Sequence, residues 1–154
     1  MSAAQPTPPA TPGTRATGGC LCGGVRYRVT GPLRPVVGCH CEMCRRTSGH
    51  HVAATACLSE HLVLESAGTL TWYRSSPGAR RGFCGTCGGN LFWSPDEGPH
   101  VAIMAGTLDM PSGLRLAGHI HVAGKGDYFD LDPALPAFEG DEPEGWVWPD
   151  GGVS

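Results

Sequence analysis

Eight cysteines in a chain of 154 residues form three short knuckles and one single residue. Cys20 and Cys22 lie in GGCLCGG, and Cys39, Cys41 and Cys44 lie in GCHCEMCRRTSG. Cys84 and Cys87 lie in FCGTCGGN, while Cys57 stands alone. A CxxC turn lets two thiolates converge on one ion at about 2.3 Å from each sulfur. Gly85, Gly88 and Gly89 permit the tight backbone such a turn needs. In CxC, residues i and i+2 of an extended segment face the same way, so both sulfurs reach one metal. Cys20, Cys22, Cys84 and Cys87 would then complete a closed tetrahedral site. That site would pin an early strand to a late hairpin, offsetting the entropy of closing a long loop.

The middle knuckle places three thiols within six residues. Three protein ligands plus a solvent position is the pattern of a catalytic zinc, and the open position could hold a substrate thiol as its thiolate. The competing arrangement is a closed structural site in which Cys57 or His40 supplies the fourth ligand. His40 sits between two ligands, so on an extended segment it points away from them. Cys57 ends an apolar strand, where a cysteine commonly acts as a small buried hydrophobe. Arg45 and Arg46 follow the last ligand and could bind the carboxylates of a peptide thiol. His50 or His51 could move protons near neutral pH. His119 and His121, two apart, share one strand face. Arg80 and Arg81 read as an exposed hairpin. No Ser/His/Asp pattern, Walker loop or dinucleotide fingerprint is visible.

The elements that must carry these residues are short strands. VRYRV (25–29) alternates apolar and basic residues, as a half-buried strand does. Segments 51–57, 61–65, 69–74, 90–94, 100–106 and 115–122 have similar character, separated by Gly, Pro and Ser clusters. A helical turn or two is expected only near Glu42–Thr47. The expected fold is all-β, with irregular metal-bearing loops. The Pro/Thr/Ala-rich residues 1–17 read as a disordered tail. Residues 18–138 form the domain, and the acidic, Gly/Pro-rich residues 139–154 form a loose tail. Within that tail Trp146 and Trp148 either fold back or stand exposed.

Composition narrows the function. Glycine (24) and proline (14) make up about a quarter of the chain, which disfavours long helices. No run approaches the length of a membrane span, and the N-terminal residues lack the form of an export signal. The expected location is the cytoplasm, where thiols stay reduced and cysteine clusters are better read as metal ligands than as disulfides. The formal net charge is −3. Seven thiolates around two divalent ions would take it to about −6, which argues against a nucleic-acid partner.

With these motifs laid out, the sequence resembles the glutathione-dependent formaldehyde-activating enzyme and centromere-protein-V-like family. GGCLCGGVRYRV resembles the family's opening motif, GCHCEMCRRTSG its central one and FCGTCGGNLFW its closing knuckle. GHIHVAGKGDYFDLDPALPAFEG resembles its terminal block, with Tyr128 where a tryptophan is expected. The resemblance implies an irregular Mss4-like β fold and two zinc ions per chain. The structural ion would be held by Cys20, Cys22, Cys84 and Cys87, and the catalytic one by Cys39, Cys41 and Cys44. It also implies carbon–sulfur lyase chemistry, in which a small thiol such as glutathione adds to an aldehyde such as formaldehyde, or the reverse. The expected partners are thus a small thiol and an aldehyde, with neither nucleic acid nor membrane, and the chain a monomer or homodimer. The alternative is a non-catalytic binding module stabilised by two structural zinc sites.

Overall fold

Alternation in the short apolar segments decides the architecture. A computed structural model describes residues 13–149 and contains ten strands and one helix. The strands are β1 (Ala16–Gly19), β2 (Arg26–Val29), β3 (Val36–Cys39), β4 (Val52–Leu58), β5 (Leu62–Ser66), β6 (Leu70–Ser76), β7 (Ala79–Cys84), β8 (Asn90–Pro95), β9 (His100–Met104) and β10 (Leu116–Ile120). Helix α1 spans Glu42–Ser48. Strands β1-β2-β5 form a small sheet, and β10-β3-β4-β9-β8-β7-β6 form a large one. Every pairing is antiparallel except that of β10 with β3. This is the all-β arrangement of short strands expected from the sequence. Among the described residues no helix is long and apolar enough to cross a membrane.

In β2, Tyr27 and Val29 are buried while Arg26 and Arg28 lie at the surface side. Tyr27 meets Phe92 of β8 edge-on at 5.3 Å between ring centroids. Around them Val25, Leu91, Val101, Ile103 and Cys57 form the main core, which joins the two sheets. Each such side chain contributes about 1.5–3 kcal/mol on leaving water. The opposite face of the large sheet follows from the same period of two. There Ala56, Ala102, Trp93 and Arg81 are successive cross-strand partners on β4, β9, β8 and β7. Val52 and Ala54 share that face and pack with Cys44 and Met104 in a second, smaller cluster.

Three strands escape a reading by composition. Strand β1 is ATGG and β3 is VVGC, too short and glycine-rich to alternate visibly. Strand β7, ARRGFC, reads as a charged hairpin, yet Arg81 is only 4% exposed. Most of the expected N-terminal tail lies outside the described residues, and β1 already begins at Ala16. At the other end, Trp148 is buried against Val37 and Ala117, with Phe138 beside it. Gly118 makes room for it, because a Cβ there would collide with the indole ring. The segment after Glu139, read from composition as loose, is therefore anchored as far as Trp148.

An ion pair between Arg26 and Asp109 ties the small sheet to the segment after β9. Asp109 accepts from Arg26 Nη1 at 3.1 Å, from Arg26 Nη2 at 2.6 Å and from Thr17 Oγ1 at 2.6 Å. Its N–H reaches the Thr17 carbonyl at 2.8 Å. The Arg26 guanidinium holds the Asp109 carboxyl below the usual carboxylate range. A depressed folded pKa adds stability that is present above the unfolded value and lost as pH falls. Asp109→Asn should cost about 1–2 kcal/mol at neutral pH, with solvent screening part of the pair. Urea melts should show the gap between the two chains shrinking once pH drops below about 4. An equal gap at pH 7 and pH 3 would assign the loss to something other than this carboxylate.

Candidate metal centres and the cavity beside them

The first cluster sits where the β1–β2 turn meets the β7–β8 turn. The sulfurs of Cys20, Cys22, Cys84 and Cys87 all lie within 4.8 Å of one another. Cys22 Sγ is 3.7 Å from both Cys20 Sγ and Cys84 Sγ. Sulfurs placed tetrahedrally at 2.3 Å around one ion stand about 3.8 Å apart, so the spacing fits zinc. Backbone N–H groups face the sulfurs, as in Val25 N to Cys20 Sγ at 3.2 Å and Cys87 N to Cys84 Sγ at 3.5 Å. The knuckle turns through Gly88, whose φ is 76°.

The second cluster joins the end of β3 to the start of α1. Cys41 caps the helix, its sulfur accepting from Cys44 N–H at 3.4 Å. Gly49, in the left-handed region, closes the other end, and Ser48 Oγ donates to the Cys44 carbonyl at 2.7 Å. Ser48 is thus a local structural group. The sulfurs of Cys39, Cys41 and Cys44 converge within 4.8 Å, and no further His, Cys, Asp or Glu among the described residues joins them. The two side chains that could have closed the site are directed elsewhere. Cys57 pairs with Val101 and belongs to the main core, on the opposite face of β4 from Val52 and Ala54. Burial pushes its thiol up to about 11. His40 is 1% exposed, and its Nε2 lies 2.9 Å from His119 Nδ1.

The chemistry of this donor set fits a divalent ion. Buried Arg81 places Nη2 3.5 Å from Cys44 Sγ, while its Nε and Nη1 have no partner. Among the described residues no carboxylate forms an ion pair with it. A buried guanidinium needs an anion, and three thiolates around a 2+ ion carry a net charge of −1. The Cys44 thiol is already drawn down to about 5 by the Cys39 hydrogen bond and by Arg81, against the opposing effect of burial.

The three cysteines open on a cavity of about 310 Å³. Met43, Val52, Ala54, Ala102 and Met104 give it an apolar wall, and Arg34, Arg81, His121 and Asp141 supply the polar groups. His121 is the cavity-lining residue that strand periodicity misplaces. Strand β10 ends at Ile120, and His121 adopts φ 54° and ψ 37°, so it does not share a face with His119. A left-handed conformation is strained for a histidine and here turns it to the cavity rim. Its N–H bonds the Gly140 carbonyl at 2.8 Å, and its Nε2 lies 2.8 Å from Asp141 Oδ1.

His40, His50, His51 and His119 cluster beside the knuckle and do not line this cavity. His51 stacks on His40 at 4.5 Å, and Gly38 leaves space for His119, since a Cβ there would stand 2.6 Å from its Nδ1. Burial, reinforced by His51 and His119, draws the His40 pKa down to about 4. His50 Nδ1 reaches Tyr128 Oη at 2.7 Å. Arg45 and Arg46 line a different cleft, of about 700 Å³, together with Lys125 and Tyr128. Arg46 is paired there with Glu42 at 2.9 Å.

Known proteins are similar to this chain. A Halomonas elongata protein, provisionally named as a glutathione-dependent formaldehyde-activating enzyme, is 28% identical over 127 residues. That match spans 75% of this chain and 80% of the relative. The crystal structure of a Rhodobacter sphaeroides protein superposes with a TM-score of 0.56 at 23% identity, over 67% of this chain and 98% of the other, a likeness of fold. Residues 15–124, which include both cysteine clusters, match the family described as glutathione-dependent formaldehyde-activating enzyme, and the chain belongs to that family.

Proposed function

We propose that the chain is a cytoplasmic, zinc-dependent carbon–sulfur lyase that adds a small thiol to an aldehyde, or reverses that addition. The observation that carries this reading is the set of three converging sulfurs, unjoined by a fourth described side chain, on the wall of a cavity. In this reading Cys20, Cys22, Cys84 and Cys87 hold a structural zinc, and Cys39, Cys41 and Cys44 hold a catalytic one. Zinc at the second cluster would supply a Lewis-acid position that favours the thiolate form of an incoming thiol.

The chain's own residues do the rest. Arg81 offsets the negative charge of the sulfur cluster. The apolar wall of Met43, Val52 and Met104 excludes water from the reacting carbonyl. The thiolate sulfur bonds to the carbonyl carbon, and the C=O π pair moves onto oxygen. In this reading His121, whose Nε2 lies 2.8 Å from Asp141 Oδ1, gives that oxygen a proton from Nδ1. In reverse, His121 takes the proton back as the C–S bond breaks. Arg45 and Arg46 could serve only a thiol long enough to reach past α1 into their cleft. The working unit therefore extends beyond 18–138, to at least Asp141.

A panel of thiols and aldehydes incubated with zinc-loaded protein, followed by NMR, tests the reading. Adduct formation should be saturable and catalysed. His121→Gln should lower kcat by about 10²–10⁴-fold with little change in KM. No catalysis across the panel would leave the non-catalytic binding module as the better description.

A further inference from the structure

Beside the cysteine cavity lies a second recess of about 290 Å³. The two meet at Arg34, Trp93 and Ala102, which line both. Ala56 and Ala102, cross-strand partners on β4 and β9, form a low floor between taller walls. One of those walls is Trp146 and Trp148, in the C-terminal segment beyond the family-matched residues 15–124. Trp93 and Trp146 are 36% and 39% exposed, so each has ring surface to offer. Three buried polar atoms without a partner belong to residues of this lining: Arg34 Nε, His100 Nε2 and Trp148 Nε1. Arg34 spends Nη2 on the Ala54 carbonyl at 3.1 Å. Glu142 shares the wall but forms no ion pair with it.

Guanidinium and indole N–H groups only donate, so what satisfies them must be an acceptor. A recess of this size holds roughly ten waters, far more than a one-carbon aldehyde needs. We propose that the recess is a substrate-selecting subsite for an aromatic group bearing a carboxylate, so that the carbonyl partner of the thiol is a bulky aryl compound. The ring lies between Trp93 and Trp146 over the two alanines, and the carboxylate meets Arg34. The identity of the carbonyl partner rests on the thiol–aldehyde reading above, whereas the subsite itself does not.

Fluorine NMR of the zinc-loaded protein with 4-fluorobenzoate tests the subsite without any reaction. Binding should saturate, and 4-fluorobenzyl alcohol, which lacks the anion, should bind about tenfold more weakly. Trp146→Ala and, independently, the floor-filling Ala102→Leu should each weaken benzoate binding about tenfold while zinc content stays unchanged. Turnover then separates the two ideas. With one common thiol, Trp146→Ala should lower kcat/KM for 4-carboxybenzaldehyde about tenfold and leave that for formaldehyde unchanged. No saturable benzoate binding, or binding indifferent to both variants, overturns the subsite even if formaldehyde is turned over. Benzoate binding lost in both variants, without turnover of any aldehyde, supports the subsite and sinks the carbon–sulfur reading instead.

Discussion

Cys84→Ser is expected to abolish cooperative folding. Cys84 is fully buried, and its sulfur stands 3.7 Å from that of Cys22, 62 residues earlier in the chain. Its Sγ also lies 3.2 Å from Thr69 Oγ1, and its N–H is bonded to the Gly89 carbonyl at 2.9 Å. The cluster therefore fastens the turn of the small sheet to the β7–β8 turn of the large one. A structural zinc contributes on the order of 10–16 kcal/mol, whereas a domain's whole stability is about 5–15 kcal/mol. Losing one of four sulfurs forfeits much of that binding. Thermal melts by circular dichroism should show no sigmoidal transition for the variant, and zinc analysis should show the first ion missing. A variant that melts within a few degrees of the parent with its metal intact would show that the four sulfurs are not what holds the two sheets together.

Arg81→Met should weaken metal binding at the second cluster while sparing the first. Arg81 lies in β7, buried beside Cys44, and among the described residues the only hydrogen bond of its side chain is to sulfur. Met fills a similar volume but leaves the anionic sulfurs without their counter-charge. Removing one partner of a buried charge pair costs about 3–5 kcal/mol, which corresponds to roughly 10²–10⁴-fold in affinity. Chelator competition should release one zinc per chain at a hundredfold lower chelator activity, with the melting curve little altered. Arg81→Lys should recover part of the affinity, since a point cation restores charge but not the fork of donors. Equal metal retention in Arg81→Met would mean that the cluster's charge is balanced from elsewhere.

Much of this layout was visible in the residues alone, for physical reasons. The cysteine knuckles announce themselves because metal geometry constrains spacing directly. The segments around β2, β4, β5, β6, β8, β9 and β10 show apolar periodicity because each has one face in a core. The unread parts share a different cause. Strand β7 carries two arginines in a row, and only the tertiary pairing Arg81–Trp93–Ala102–Ala56 reveals that the second is buried beneath the cysteine knuckle. His121 breaks alternation through a left-handed backbone that no residue-type preference signals. Trp146 and Trp148 sit in an acidic Gly/Pro-rich stretch whose composition resembles a tail. Their anchoring depends on Gly118 and Val37, which are distant in sequence.

The unequal chain spans of the two sulfur clusters set an order for events during synthesis. Cys39, Cys41 and Cys44 leave the ribosome within about a second of one another at usual elongation rates. Cys22 must wait for Cys84, 62 residues later, an interval of about 3–12 s. Through that interval the first two thiols are exposed on a nascent chain, open to oxidants and to stray metals. The local knuckle can thus assemble first, and the four-sulfur cluster that joins the two sheets is completed last.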